Sequence, residues 1–266
     1  MEVCKVLFLG DIVGQPGRKI VARYLPELKT LYSPTLVVAN GENAAGGFGI
    51  TRSVAQEIFS SGVDVITLGN HLWDQKSFAA EIDTLPHLCR PANLPSECPG
   101  KSYVVWETEK QKLGIFCLLG RQFMELPTTC PFKTADRIVD ELRSQGIQII
   151  FVDIHAETTS EKCALGWHLS GRVTAVFGTH THVPTGDGRI LQKATAYLTD
   201  AGMCGSSEGI LGYERGPLIQ KFIDGMPCRF SVAPNGPAEL HGVVVVFDPS
   251  TGKATKIESV HRSEPA

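Results

Sequence analysis

Residues 174–182 read Thr174-Ala175-Val176-Phe177-Gly178-Thr179-His180-Thr181-His182, an apolar, β-branched run that breaks at once into glycine and two histidines. A short continuous run of this kind reads as a buried strand. The pattern recurs. Val3 to Leu9 gives way to Gly10-Asp11-Ile12-Val13-Gly14, Thr35 to Ala39 to Asn40-Gly41-Glu42-Asn43, and Val63 to Leu68 to Gly69-Asn70-His71. Leu113 to Leu119, Ile147 to Ile154 before His155, Ala194 to Leu198 and Val243 to Phe247 complete the strand series.

Helical stripes separate the early strands. Arg18 to Tyr32 carries Ile20, Val21, Tyr24, Leu25 and Leu28 at helical spacing, interrupted by Pro26. A second helix is expected from the N-cap Thr51, with Val54, Ala55, Ile58 and Phe59 on one side. A third follows Thr134 and stops at Gly146. Strand–helix alternation predicts α/β layering with parallel pairing, and the helix-poor stretch beyond Ala194 predicts added antiparallel strands. Residues 86–99, with four prolines, and 202–216, with five glycines, read as long loops.

The chain has 266 residues, 42% hydrophobic and 20% charged, which is globular composition with enough length for a core that needs no staples. A single domain over residues 1–266 is the expected organisation. Net charge is −3, so no duplex nucleic acid or anionic membrane is expected as partner. No apolar run reaches the length of a membrane span, and Met1-Glu2-Val3-Cys4-Lys5 lacks a signal-peptide layout, so a cytoplasmic location is expected. None of the eight cysteines forms a C-x-x-C pair, and Cys4 and Cys117 sit in strand-like runs as small hydrophobes.

Chemistry gathers at the strand ends. Asp11, Glu42, Asn43, Asn70, His71, His155, His180 and His182 all follow apolar strands. In open α/β sheets such ends converge on one crevice. A lone Asp or His after a strand is ordinarily a turn residue, a reading that serves each singly and fails for the set. Carboxylate, amide and imidazole donors without thiolate suit ions such as manganese, iron or zinc. Glu42 has two oxygens with which to bridge two ions, and in an extended segment His180 and His182 point to one side. Two metals about 3.5–4 Å apart can share a hydroxide and clamp a phosphoryl group for in-line attack. His71, beside Asn70, is the natural proton donor to the leaving oxygen.

Together, Gly10-Asp11, Gly41-Glu42-Asn43, Gly69-Asn70-His71, His155 and Gly178-Thr179-His180-Thr181-His182 resemble the calcineurin-like dinuclear metallophosphoesterases. Two departures stand out: the usual D-x-H opening is Asp11-Ile12-Val13, and the usual bridging aspartate is Glu42, followed by Asn43. With Gly10 to Gly14, Gly41 to Gly47 and Thr195-Ala196-Tyr197-Leu198-Thr199-Asp200-Ala201-Gly202-Met203, these departures are similar to the bacterial YmdB-type branch, over residues 3 to about 260. The resemblance implies a four-layer α/β/β/α sandwich with mixed sheets and two metals at its rim. It also implies phosphodiesterase activity towards 2′,3′-cyclic nucleotides. Asp11, Glu42, Asn43 and His182 would hold one ion, and Glu42, Asn70, His155 and His180 the other. The metals it implies are iron or manganese, with zinc and magnesium as alternatives. His71 would be the acid, and family habit together with the two long loops predicts a homo-oligomer.

Neighbouring residues carry plainer expectations. Asp74 could orient His71, but capping a helix over 75–82 is the favoured reading. Gly46, Gly47 and Gly49 could cradle phosphate or serve sterics alone. Trp73 and Phe48 could stack a base, although packing is the commoner role. Asp200 reads as a turn residue, and His87, His168, His241 and His261 as structural or surface histidines. A Rossmann oxidoreductase is disfavoured because Gly10-x-x-x-Gly14-x-x-Gly17 does not match G-x-G-x-x-G. The remaining alternatives are a phosphomonoesterase of the same fold and a non-catalytic metal-binding regulator, which would have no need for His71.

Overall fold

A computed structural model describes residues 3–234 and 236–265, leaving Met1 and Glu2 of the N-terminal reading outside the described residues. Its first half runs β1 (Cys4–Leu9), β2 (Asp11–Ile12), α1 (Gly14–Tyr32), β3 (Leu36–Asn40), α2 (Arg52–Ser60) and β4 (Val65–Thr67). Next come α3 (Phe78–Glu81), β5 (Leu88–Cys89), β6 (Val104–Glu107), β7 (Lys112–Leu119), α4 (Pro131–Ser144), β8 (Ile149–His155) and α5 (Thr159–Leu169). The chain closes with β9 (Ala175–Thr179), β10 (Arg189–Leu191), β11 (Thr195–Leu198), β12 (Met203–Ser206), α6 (Arg215–Asp224), β13 (Ala238–Phe247) and β14 (Ala254–Ser263).

Two mixed sheets result. In the first, β1, β3, β4 and β5 are parallel, while β13 pairs antiparallel with β1 and β14. The second has the order β10-β11-β9-β8-β7-β6, parallel at its centre and antiparallel at both edges. Strand alternation divides the apolar residues among three cores. Leu7 and Leu9 of β1 face α1 and α2, whereas Val6 and Phe8 face the opposite sheet. Ile150, Val152 and Ile154 of β8 face α4 and α5, whereas Ile149 and Phe151 point between the sheets. Three cores between four layers make the α/β/β/α sandwich. The same two-residue period carries Asn40 of β3, and Asp153 and His155 of β8, onto the inter-sheet side at the strand ends.

Four elements depart from the sequence reading. The inner face of α5 carries Lys162 and Gly166 beside Leu165 and Leu169, so no apolar stripe marks it. Helix α6 lies in the stretch expected to be strand-rich; it buries Leu218 and leaves Ile219, Phe222 and Ile223 exposed. Strand β14 is a half-exposed edge rich in polar residues, and the glycine-bearing stretch 202–216 contains β12. Pro26 does not break α1, because it and the Ala22 carbonyl whose bond it removes lie on the exposed side.

The sheets meet through aromatic rings. Phe8 and Phe177 stack at 4.6 Å, and Phe151 meets Phe247 edge-on at 5.5 Å. Phe151 is fully buried in this interface. Phe151→Ala is expected to cost about 3–5 kcal/mol through lost contacts and the cavity left behind. A loss of that size in the unfolding free energy obtained from chemical denaturation checks it.

Candidate metal centre

Because β1, β3, β4, β8 and β9 run the same way, their carboxyl ends form one rim, and all eight residues singled out in the sequence lie along it. His155 ends β8 at the centre. Its Nε2 lies 2.9 Å from Glu42 Oε1, 2.9 Å from Asn70 Oδ1 and 3.1 Å from His180 Nδ1. Beside this group, Asn43 Nδ2 lies 3.2 Å from both Glu42 Oε1 and His182 Nε2. The His180 backbone N–H donates to Asp11 Oδ2 at 3.1 Å. Two donor groups therefore share Glu42, and that carboxylate's other oxygen accepts the His71 backbone N–H at 2.9 Å.

Each histidine has one ring nitrogen anchored. Thr179 Oγ1 donates to Asp153 at 2.7 Å, so it accepts from His155 Nδ1–H at 2.9 Å and leaves Nε2 as the free donor atom. His182 Nδ1 donates to the Leu211 carbonyl at 3.0 Å. His180 Nε2 meets Glu157 at 3.0 Å, leaving Nδ1 inward, and His71 Nδ1 meets Asp74 at 2.8 Å. Such outer partners fix tautomer and ring orientation in metal centres.

The charge balance asks for cations. Asp11, Glu42 and His155 are fully buried. Burial drives the Asp11 carboxyl up to about 6, against the pull of His182 and His155. Burial also works to raise Glu42, but the adjacent His155, helped by His71, overrides it and holds Glu42 at about 2. Burial would lower His155, yet Glu42, Asp11 and Asp153 lift it to about 9. Asp11 Oδ1 and Asn43 Oδ1 are buried without a hydrogen-bond partner. A Cβ on Gly69 would stand 2.3 Å from Glu42 Oε2 and 2.4 Å from His155 Nε2, so only glycine leaves this cradle open. Donor atoms of Glu42, His155 and His180 lie within 4.8 Å of one another. Unpartnered buried oxygens, convergent imidazoles and an uncrowded cradle fit metal ions.

Several expectations change here. His180 and His182 are not extended: both have left-handed backbone, with φ of 96° and 63°. Asn70 and His71 lie in a turn beyond β4, in the break that follows the strand run. Asp74 caps nothing, since α3 starts after Ser77; it holds His71 instead. Asp200 is no plain turn residue. Fully buried, it pairs with buried Lys162 at 2.7 Å and accepts Thr181 Oγ1–H at 2.7 Å, bracing the segment between the two strained histidines. Asp153 and Glu157 were missed. Asp153 sits inside an apolar run, and only its odd parity with His155 marks it. Gly47 needs its φ of 95°, and a Cβ there would reach Val232 at 2.7 Å, so steric demand accounts for it. Trp73 packs against the core beneath α2, and Phe48 joins Tyr213 and Phe230 in a satellite cluster beside the rim.

Residues 7–260 match the family model described as YmdB-like protein. The chain belongs to that family. It is 48% identical to the 2′,3′-cyclic-nucleotide 2′-phosphodiesterase of Bacillus subtilis (strain 168), over 96% of each chain. A crystal structure described as a novel phosphatase, from Mycoplasma pneumoniae, superposes with a TM-score of 0.92 at 37% identity, covering 99% of this chain and 94% of that one. A hypothetical protein from Thermus thermophilus gives 0.91 at 39%, covering 98% and 100%. Among the described residues, no helix is long and apolar enough to cross a membrane.

Gly69→Ala tests the cradle with the smallest side chain available. The variant is expected to keep its far-UV circular dichroism and to lose most of its bound metal, read by elemental analysis after equilibration with wild type in the same metal buffer.

Proposed function

We propose that this protein is a metal-dependent phosphodiesterase that opens 2′,3′-cyclic nucleotides to nucleoside monophosphates, with His71 as general acid. The observation that carries the reading is the placement of His71. Its backbone is tied to Glu42, its Nδ1 to Asp74, and its ring lines two clefts of about 410 and 370 Å³ together with His180. In this reading Asp11, Glu42, Asn43 and His182 hold one ion, and Glu42, Asn70, His155 and His180 hold the second, iron or manganese being the preferred metals. Bound there, such ions provide a nucleophile at neutral pH and offset charge on the phosphoryl oxygens.

The chain's own groups do the rest. Asp74 accepts Nδ1–H of His71, and in the doubly protonated ring Nε2–H is then the proton offered to the departing ribose oxygen. Phe48 meets His71 edge-on at 5.0 Å and, with Tyr213 and Phe230, lines the smaller cleft beside His182, an aromatic wall suited to a nucleoside. The 48% identical relative supports the cyclic-nucleotide assignment. The Mycoplasma structure, described as a phosphatase, favours a phosphomonoester as the second reading. A screen of phosphomonoesters against cyclic and linear diesters separates the two, and a clear monoester preference would replace the first with the second. The same reading includes one functional unit over residues 1–266, a cytoplasmic location and a homo-oligomer, for which the exposed Ile219, Phe222 and Ile223 of α6 offer an apolar face.

Chelation is expected to abolish turnover and leave most of the fold intact, since three apolar cores do not involve the rim. His71→Ala should keep near-normal metal content and lose ~10²–10⁴-fold in rate on a ribose ester. It should be far less impaired on a nitrophenyl ester, whose leaving group needs little protonation. Asp11→Ala and His155→Ala should lose metal and fail on both substrates. Metal loss in His71→Ala, with equal impairment on both esters, would make His71 a ligand instead of the acid.

A further inference from the structure

A second set of metal-capable side chains stands apart from this rim, on the β13–β14 pair. Glu239 and His241 are two residues apart on β13, so their side chains leave the same face. His261 is the direct partner of His241 in the antiparallel register. The sheet itself thus juxtaposes one carboxylate and two imidazoles, with no loop involved. Glu239 Oε2 lies 3.2 Å from His241 Nε2 and 3.9 Å from His261 Nε2. Donor atoms of all three residues fall within 4.8 Å of one another.

These separations match a coordination sphere. Two donors held at ~2.0–2.1 Å by one tetrahedral ion stand roughly 3.3 Å apart. The two Glu239 distances bracket that value. A hydrogen bond accounts for the Glu239–His241 contact. It does not account for the second imidazole, which at 3.9 Å is beyond bonding range yet stacks on the first at 4.5 Å with an interplanar angle of 16°. Access is open, because the His261 side chain is 54% exposed and that of Glu239 27%.

We propose that Glu239, His241 and His261 form a mononuclear site for a borderline divalent transition ion of the zinc class, with water completing the sphere. The ion clips β13 to the edge strand β14. The clip is adjacent to the rim along the backbone, since the His241 carbonyl accepts the N–H of Gly10, the residue before Asp11.

The experiment uses untagged, folded holoprotein dialysed against buffered zinc, comparing wild type with His261→Gln and Glu239→Gln. Both substitutions sit at partly exposed positions, and far-UV circular dichroism verifies each fold. Wild type is expected to hold one more zinc per chain than either variant. Zinc should also raise its thermal midpoint by more than it raises theirs. Equal zinc counts in all three proteins would overturn the proposal. So would a loss of more than one zinc in His261→Gln, because the site would then not be separate from the rim. The count needs no assay of turnover, so it stands or falls apart from the phosphodiesterase reading.

Discussion

One buried carboxylate sets the geometry of the rim. Asp153, on β8, accepts hydrogen bonds from Asn40 Nδ2 at 3.0 Å, Thr67 Oγ1 at 2.6 Å and Thr179 Oγ1 at 2.7 Å. Asn40 and Thr67 end β3 and β4 of the first sheet, and Thr179 ends β9 of the second. The carboxylate therefore ties four strand ends across the gap between the sheets, where apolar packing has run out. A buried acid without such donors would cost several kcal/mol, and with them it becomes a rigid node. His155, two residues along β8, inherits its orientation from the same node through Thr179.

Strain at the rim is held in place by a second buried charge. His180 and His182 sit in a backbone region that costs of order 1–3 kcal/mol for a side chain larger than glycine. What stands between them is Thr181, whose N–H and hydroxyl both donate to Asp200. Asp200 in turn faces the Lys162 ammonium from α5. Breaking a buried pair of this kind typically costs about 3–5 kcal/mol, comparable with the strain of the two histidines. With left-handed turns at both histidines, Nδ1 of His180 lies against His155 Nε2 and Nε2 of His182 against Asn43 Nδ2.

Much of this was legible in the sequence, and what was not has identifiable causes. Strand runs such as Leu113 to Leu119 are apolar on both faces, so continuity alone marks them as buried. Each of the eight residues on the rim follows such a run, and that position is what singled it out. Helix α5 was invisible because its inward face spends two positions on function and fit: Lys162 reaches Asp200, and Gly166 makes room for the Tyr197 ring, which a Cβ would approach to 2.4 Å. Asp153, Glu157 and Leu211 escaped for a different reason. Their roles exist only through partners between 23 and 113 residues away, and residue type alone does not signal a hydrogen bond at that range. Asp74 shows the converse, since a local capping rule gave way to a neighbour three residues back.

The division of labour between the histidines follows from which nitrogen each has left. His155, His180 and His182 surrender one nitrogen to Thr179, Glu157 and Leu211, and the remaining three donor atoms face a space bounded by Glu42, Asn43 and Asp11. That space is shielded, and the carboxylates of Glu42 and Asp11 raise the proton affinity of His155 against its burial. His71 is held differently. Its backbone rather than its ring reaches Glu42, and the ring lies further out, half-exposed and fixed by the exposed Asp74. In the proposed reading the three buried histidines are ligands, which gain from deep burial, and His71 is a proton donor, which must exchange with solvent between turnovers. A single backbone hydrogen bond to Glu42 keeps His71 beside the centre while its ring stays outside the buried donor group.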